Sequence, residues 1–175
     1  IPFILISTDY VFDGNKAPYS EEDEKNPLNE YGYHKLKAEN WIKENTSKYI
    51  IARTTNVFGW DPITKTPNYL MQLFFNLNKG KPCNAPSFLS GNPTYVDDLS
   101  QAIIDLLKGE NFGIYHVVGS SNINRYDWAV KFCDLLGLDS KLLNNITNAP
   151  EGIVPRPFNS NLNTNKLQDK IGYTL

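Results

Sequence analysis

The sequence predicts an α/β fold built on parallel strands, and three observations carry that prediction. Short continuous apolar runs, IPFILIS at 1–7, YIIAR at 49–53 and IYHVV at 114–118, read as strands buried on both faces. Stretches of helix-forming residues separate them. Gly and Pro punctuate the joints rather than the runs themselves. Strands alternating with helices favour βαβ units over a sandwich.

Each element has its own signal. Ile1–Ser7 is the first strand. Asp9–Pro27 is polar and holds Gly14, Pro18 and Pro27, so it reads as a long loop, a length that usually marks function. Leu28–Asn45 follows Asn26-Pro27 as a helix with apolar positions Leu36, Ala38, Trp41 and Ile42. Tyr49–Arg53 is the second strand. Thr54–Pro67 is loop, with Gly59, Pro62 and Pro67. Asn68–Asn78 is a helix stopped by Gly80 and Pro82. Residues 83–93, holding Pro86, Gly91 and Pro93, read as irregular connection. Asp97 or Asp98 caps a helix that runs to Leu107 and ends at Gly109. Ile114–Val118 is the third strand, and Asn124–Leu136 a helix ended by Gly137. The tail from Asn144 is loop-rich, with one short helix near Thr164–Ile171.

Composition excludes several classes. Of 175 residues, 41% are apolar and 21% charged, as in ordinary globular domains. A net charge of −2 with no basic stripe argues against nucleic-acid binding through phosphate neutralisation. Every apolar run falls far short of the roughly 20 residues a membrane-spanning helix needs. Cys83 and Cys133 stand apart, outside any CxxC or Cys/His cluster. They read as reduced, buried thiols of a cytoplasmic protein, and no metal site is expected. The acidic run Glu21–Glu24 reads as a solvated loop, His34 as helix surface, His116 as a packed structural histidine, and Trp41, Trp60 and Trp128 as packing residues.

The chemistry points to one constellation. Tyr31 and Lys35, four residues apart on the helix at 28–45, share a face. A phenol beside an ammonium is an acid/base pair, because a nearby cation favours the phenolate. Alone, that spacing occurs by chance on many solvated helices. Here Thr8 follows the first strand, and Arg53, Thr54 and Thr55 end the second, each at a carboxyl end. Open α/β sheets bind ligands at those ends. One crevice is therefore expected to hold Thr8, Tyr31, Lys35, Thr54 and Thr55.

Longer stretches then carry a resemblance. STDYVFDG (7–14), PLNEYGYHKLKAE (27–39), RTTNVFG (53–59), GNPTYVDDLSQAI (91–103), GIYHVVGSSNINRYDWA (113–129) and RPFNSNLNTNKL (156–167) run along nearly the whole chain. In that order they resemble the extended short-chain dehydrogenase/reductase family, and within it the dTDP-4-dehydrorhamnose reductase branch. The resemblance implies the C-terminal half of a Rossmann-type parallel sheet with a smaller substrate-binding lobe. Residues 1–54 form the Rossmann portion with the catalytic helix. Residues 94–136 return to it, and the lobe draws on 55–93 and 140–165.

The resemblance also implies roles. Tyr31 matches the catalytic Tyr that protonates the sugar alkoxide, Lys35 the Lys that tunes it and holds the nicotinamide ribose, and Thr8 the hydroxyl on the substrate carbonyl. Ser7, Arg53, Thr54, Thr55, Asn56 and Val57 would line the cofactor, with Tyr31 and Lys35. Tyr10, Val11, Phe12, Arg156 and Asn159 would join Thr8 around the nucleotide-sugar, with Arg156 suited to a diphosphate and Ser160 beside it. The implied cofactor is NADPH or NADH, the implied reaction the reduction of a 4-keto-6-deoxy sugar nucleotide, and a homodimer is compatible with it. Another sugar-nucleotide epimerase, dehydratase or reductase stays open. So does a catalytically silent regulatory subunit, since the branch includes one of methionine adenosyltransferase.

The Gly-rich phosphate-binding turn of such folds is absent from these residues. The chain opens without Met, inside an apolar strand. We therefore expect that further strands and the turn precede Ile1. On that expectation, the 175 residues alone are poorly soluble, or associate through an open strand edge, and bind no NAD(P)H measurably.

Overall fold

A computed structural model describes residues 1–61, 63 and 67–175; residues 62 and 64–66, in the expected 54–67 loop, lie outside the described residues. Strand β1 (Phe3–Thr8) leads through a single 3-10 turn at Asp9–Val11 to helix α1 (Glu30–Asn45), and strand β2 (Tyr49–Thr54) follows. Next come β3 (Val57–Phe58), α2 (Tyr69–Leu77), β4 (Cys83–Pro86), β5 (Ser90–Gly91) and β6 (Thr94–Tyr95). Helix α3 (Val96–Lys108) precedes β7 (Gly113–His116), β8 (Ile123–Asn124) and α4 (Arg125–Leu136). Strand β9 (Leu143–Ile146) and α5 (Asn165–Ile171) complete the order.

The main sheet is parallel, in the order β1-β2-β7. Register places Thr8 beside Thr54 and Arg53 beside His116, so two threonines stand together at the carboxyl edge. Central strand β2 is buried on both faces, and its alternation divides the core. Ile50 and Ala52 join Leu99, Ala102 and Leu106 of α3 and Leu167 of α5 in one cluster. Arg53, of the other parity, meets Glu39 of α1.

That meeting is a buried ion pair. Arg53 donates from Nε to Glu39 Oε1 at 3.0 Å and from Nη2 to Oε2 at 2.7 Å. Ser7 Oγ donates to Glu39 Oε1 at 2.6 Å, and Arg53 Nη1 to the Glu21 carbonyl at 3.1 Å. Glu21 is itself buried and accepts the His116 backbone N–H at 2.9 Å. The residue therefore leaves the solvated acidic run expected at 21–24. His116 Nδ1 lies 3.2 Å from the Asn163 carbonyl, which can only accept, so Nδ1 carries the proton and Nε2 faces Arg53 Nη1 at 3.4 Å. Burial, with the Arg53 charge beside it, pushes His116 down to about 3.

A second cluster, called the lobe below, sets Leu70, Leu73 and Leu77 of α2 against Cys83 and Ala85 of β4, Ala129 and Cys133 of α4, and Leu143 of β9. Helix α4 contributes Ala129 and Cys133 to this cluster. The connection expected to be irregular at 83–93 contains β4, paired in parallel with β9 through Cys83↔Leu143 to Pro86↔Ile146. Pro86 ends that strand, where a missing N–H costs little. Helix α3 begins at Tyr95 without a side-chain cap; Asp97 and Asp98 occupy its first turn, where they meet the helix dipole instead. Strand β1, expected to be buried on both faces, has one strand neighbour among the described residues, and Phe3, Ile4 and Ile6 stay 39–48% exposed. Trp41 and Trp60 are exposed, while Trp128 packs on Phe58 and Tyr69.

Two outcomes follow from the buried network. Glu39→Gln keeps the shape but leaves the Arg53 charge unpaired, so urea denaturation should show a loss of about 3–5 kcal/mol; a loss under about 1 kcal/mol would contradict the pair's structural role. His116 refuses in the fold a proton that the unfolded chain accepts below about pH 6.5. Its contribution is complete above that pH and drains as pH falls toward about 3. Asp9, which burial pushes upward, acts in the opposite sense. Asp13, held at about 2 by hydrogen bonds, loses its contribution only below its unfolded value near 3.8. Urea midpoints should therefore fall between about pH 7 and pH 4.5, and His116→Gln should flatten the slope.

Candidate functional site

The carboxyl ends of β1 and β2 open into a cleft of about 680 Å³, closed on its far side by the lobe. Ser7, Thr8, Tyr10, Tyr31, Lys35, Thr54, Thr55, Asn56 and Val57, all singled out in the sequence, line it, and so does Ser160.

The floor is organised by Asp9, which the sequence reading did not single out. The chain turns sharply after β1, and Thr8 Oγ1 caps that turn by accepting the Tyr10 N–H at 3.2 Å. The Thr8 hydroxyl donates to Asp9 Oδ1 at 3.0 Å, and Thr55 donates to Oδ2 at 2.9 Å. Burial raises the Asp9 carboxyl above its ordinary range, against hydrogen bonds from Ser160, Thr55 and Thr8. Thr54 also lines the cleft, and its hydroxyl is buried, with no hydrogen-bond partner among the described residues.

Helix α1 supplies the wall. Asn29 caps it by accepting the Gly32 N–H at 2.9 Å. Tyr31, in the first turn and 54% exposed, meets Tyr10 edge to face with ring centroids 5.8 Å apart. Lys35, one turn on, donates from Nζ to the Ile6 carbonyl at 2.9 Å and stands 5.9 Å from the Tyr31 ring centroid. Gly32 lies between them, against the loop: a Cβ there would collide with the Tyr10 carbonyl oxygen. Ser7 lines the cleft, but its proton is spent on Glu39.

The lobe wall holds residues that carried no sequence signal: Tyr69, Gln72, Ser90, Arg125 and Trp128. Asn56 adopts the left-handed region at φ 48°, which Asn tolerates better than most residues, and its Oδ1 accepts from Arg125 Nη2 at 3.1 Å.

Several expected site residues stand elsewhere. Arg53 is wholly buried with Glu39, one residue short of the carboxyl edge where Thr54 and Thr55 line the cleft. Val11 and Phe12 are core: Phe12 stacks on Tyr19 at 4.2 Å, and the Arg53 guanidinium lies 5.2 Å from its ring centroid. Arg156 lines a separate cavity of about 350 Å³ with Asp13, Leu28 and Phe158. Asn159 pairs its backbone with Ser90 and accepts from Asn161 N at 3.2 Å. His34, as expected, is surface, 3.6 Å from Glu30. Among the described residues there is no cluster of metal-ligating side chains, and no helix is long and apolar enough to cross a membrane.

Comparison with known proteins supplies a frame for this cleft. The RmlD substrate binding domain family matches residues 1–175. The beta subunit of methionine adenosyltransferase 2 from Xenopus tropicalis is 33% identical over 176 residues, covering 97% of this chain and 52% of that protein. The crystal structure of a dTDP-4-dehydrorhamnose reductase from Clostridium acetobutylicum superposes with a TM-score of 0.84 at 33% identity, over 96% of this chain and 58% of that one. A Bacillus anthracis dTDP-4-dehydrorhamnose reductase, solved in complex with NADP, gives a TM-score of 0.88 at 27% identity, over 99% of this chain and 60% of that one. The chain thus spans between half and two thirds of the length of these relatives.

The Gly32 contact sets a test of the wall. Gly→Ala inside a helix normally gains up to about 1 kcal/mol. Forced overpacking against backbone costs about 1–3 kcal/mol, so the collision should win and Gly32→Ala should lower the melting temperature. An unchanged or raised melting temperature would show that the Tyr10 loop yields freely.

Proposed function

The chain belongs to the RmlD substrate binding domain family, and on that footing we propose that it forms the catalytic and substrate-binding part of an NAD(P)H-dependent reductase of 4-keto-6-deoxy sugar nucleotides. The substrate that fits best is dTDP-4-dehydro-L-rhamnose, reduced to dTDP-L-rhamnose. The observation that carries this reading is the convergence of Thr8, Tyr31 and Lys35 on one cleft beside Thr54 and Thr55.

The residues present fit the nicotinamide end of a dinucleotide: Lys35, Thr54, Thr55 and Asn56 offer hydroxyl, ammonium and amide groups along one edge. The cofactor, when bound, supplies a hydride to the keto carbon. The protein's part is then the proton and the developing negative oxygen. Thr8 stands where a ketone oxygen can be held; its hydroxyl, now aimed at Asp9, needs only rotation about Cβ–Oγ to donate to that oxygen. Tyr31 gives its phenolic proton to the alkoxide, which becomes the alcohol. Lys35, fixed by the Ile6 carbonyl, places its positive charge beside the phenolate that remains.

A second reading rests on a different observation, the 33% identity to a methionine adenosyltransferase 2 beta subunit. On it, this chain is part of a non-catalytic subunit that acts on a partner enzyme. The two readings part on one assay: the first requires NADPH consumption when dTDP-4-dehydrorhamnose is added.

In protein carrying the complete dinucleotide site, Tyr31→Phe should lower kcat by about 10²- to 10⁴-fold, the usual worth of one positioned acid, with cofactor affinity nearly unchanged. Steady-state kinetics that kept kcat intact in Tyr31→Phe would remove Tyr31 from the mechanism.

A further inference from the structure

Tyr31 is asked to deliver a proton, yet little holds Tyr31 itself. The residue is 54% exposed. Its side chain meets the Tyr10 ring edge to face at 5.8 Å and the Lys35 ammonium at 5.9 Å, and its hydroxyl has no hydrogen-bond partner among the described residues. Its placement therefore comes from α1 as a body.

That helix has a small apolar anchor. Of its 16 residues, Gly32, Glu39 and Ile42 are buried, and Leu36 is partly buried against the cluster that holds Phe12. Apolar contacts such as those of Ile42 and Leu36 are non-directional. Gly32 permits a close approach and has no side chain with which to direct it. Lys35 donates to the Ile6 carbonyl, but from the end of a flexible four-carbon stem.

Glu39 differs on each count. Its side chain is 1% exposed, and its two oxygens accept from two nitrogens of one planar guanidinium, at 3.0 and 2.7 Å. Ser7 Oγ adds a third bond at 2.6 Å. Arg53 is itself fixed, wholly buried on the central strand with Nη1 on the Glu21 carbonyl at 3.1 Å. Two parallel bonds fix a carboxylate in its plane as well as its position. Tyr31, Lys35 and Glu39 follow one another at intervals of four, a drift of about 40° per step, so all three lie within about a quarter turn of the helix.

We propose that Glu39 is a positioning residue for the proton transfer: its fork with Arg53, steadied by Ser7, sets the azimuth of α1 and so aims Tyr31 and Lys35 into the cleft. Ser7, expected to line the cofactor, thereby acts through Glu39. The kinetic part of the proposal rests on the reductase reading; the geometric part does not. Misplacing a reacting group by about 1 Å costs up to about 10²-fold in rate.

The test separates orientation from stability. Glu39→Met combined with Arg53→Met replaces the pair by apolar side chains, a change that commonly leaves stability intact, but it removes the fork. In protein carrying the complete dinucleotide site, the urea midpoint should stay near wild type. The nuclear Overhauser contact between the Tyr10 and Tyr31 rings should vanish, and kcat should fall about 10- to 100-fold with the sugar-nucleotide KM within about three-fold. Leu106→Ala, a cavity in the α3 core, should lower the urea midpoint yet keep both the contact and kcat. Unchanged kcat in the double variant, or loss of the ring contact in Leu106→Ala as well, would overturn the proposal. Should the double variant fail to fold, Arg53→Lys decides: it keeps the charge and loses the fork, so a wild-type contact and kcat there would overturn it too. If the ring contact depends on the fork while wild-type protein reduces no ketone, the orienting role stands and the reductase reading falls.

Discussion

The buried pair between Glu39 and Arg53 is the interaction on which the site depends. Burying two charges is expensive, and their attraction repays the cost only where every remaining donor and acceptor is satisfied. Here they are: Glu39 takes two bonds from Arg53 and one from Ser7, and Arg53 spends Nη1 on the Glu21 carbonyl beside neutral His116. The network joins β1, β2, β7, α1 and the loop before α1. Its consequence is geometric. Glu39 lies one turn beyond Lys35 and two beyond Tyr31 on the same side of α1, so locking Glu39 to Arg53 fixes the rotation of the helix about its axis. The acid/base residues at the other end inherit that orientation.

Such a pair offers evolution little in net stability and much in specificity of arrangement. An apolar contact at the same place would hold α1 against the sheet yet tolerate a slip in azimuth. A bidentate pair does not, because both oxygens must face both nitrogens. The close approach of Gly32 to the Tyr10 carbonyl works to the same end near the N-terminus of α1. Tyr10 then meets Tyr31 edge to face, so the loop and the helix position one another.

Much of this was legible in the residue order. The three apolar runs gave the parallel sheet, and the carboxyl-end rule brought Thr8, Thr54 and Thr55 to one edge with Tyr31 and Lys35. The misplacements have physical causes. Arg53 neighbours Thr54 in sequence, but its guanidinium is drawn into the bidentate pair with Glu39 beneath the cleft. Val11 and Phe12 follow the turn that carries Tyr10, and the turn folds them under it into the core. Strands of two residues, such as β3, β5, β6 and β8, carry no periodicity to read. Glu39 and Arg125 lie in quoted motifs but were not singled out, because their meaning lies in partners distant along the chain, Arg53 for one and Asn56 with Tyr69 for the other.

The tail from Asn144 reads in the sequence as loop-rich with one short helix, and its stretch from 155 to 163 is the thread that closes the site. The Asn163 carbonyl fixes the tautomer of His116, and with it the lone pair turned toward Arg53. Asn161 and Asn163 exchange backbone bonds with Tyr19, which pins the loop before α1. Ser160 reaches the Ser90 carbonyl of the lobe while its hydroxyl borders Asp9. One short segment therefore touches the buried pair, the loop that carries Tyr10, and both walls of the cleft. A residue in such a segment needs little intrinsic structure, because its conformation is imposed by the groups it joins. That explains why propensity had nothing to report there, while the motif RPFNSNL, which records partners rather than periodicity, did.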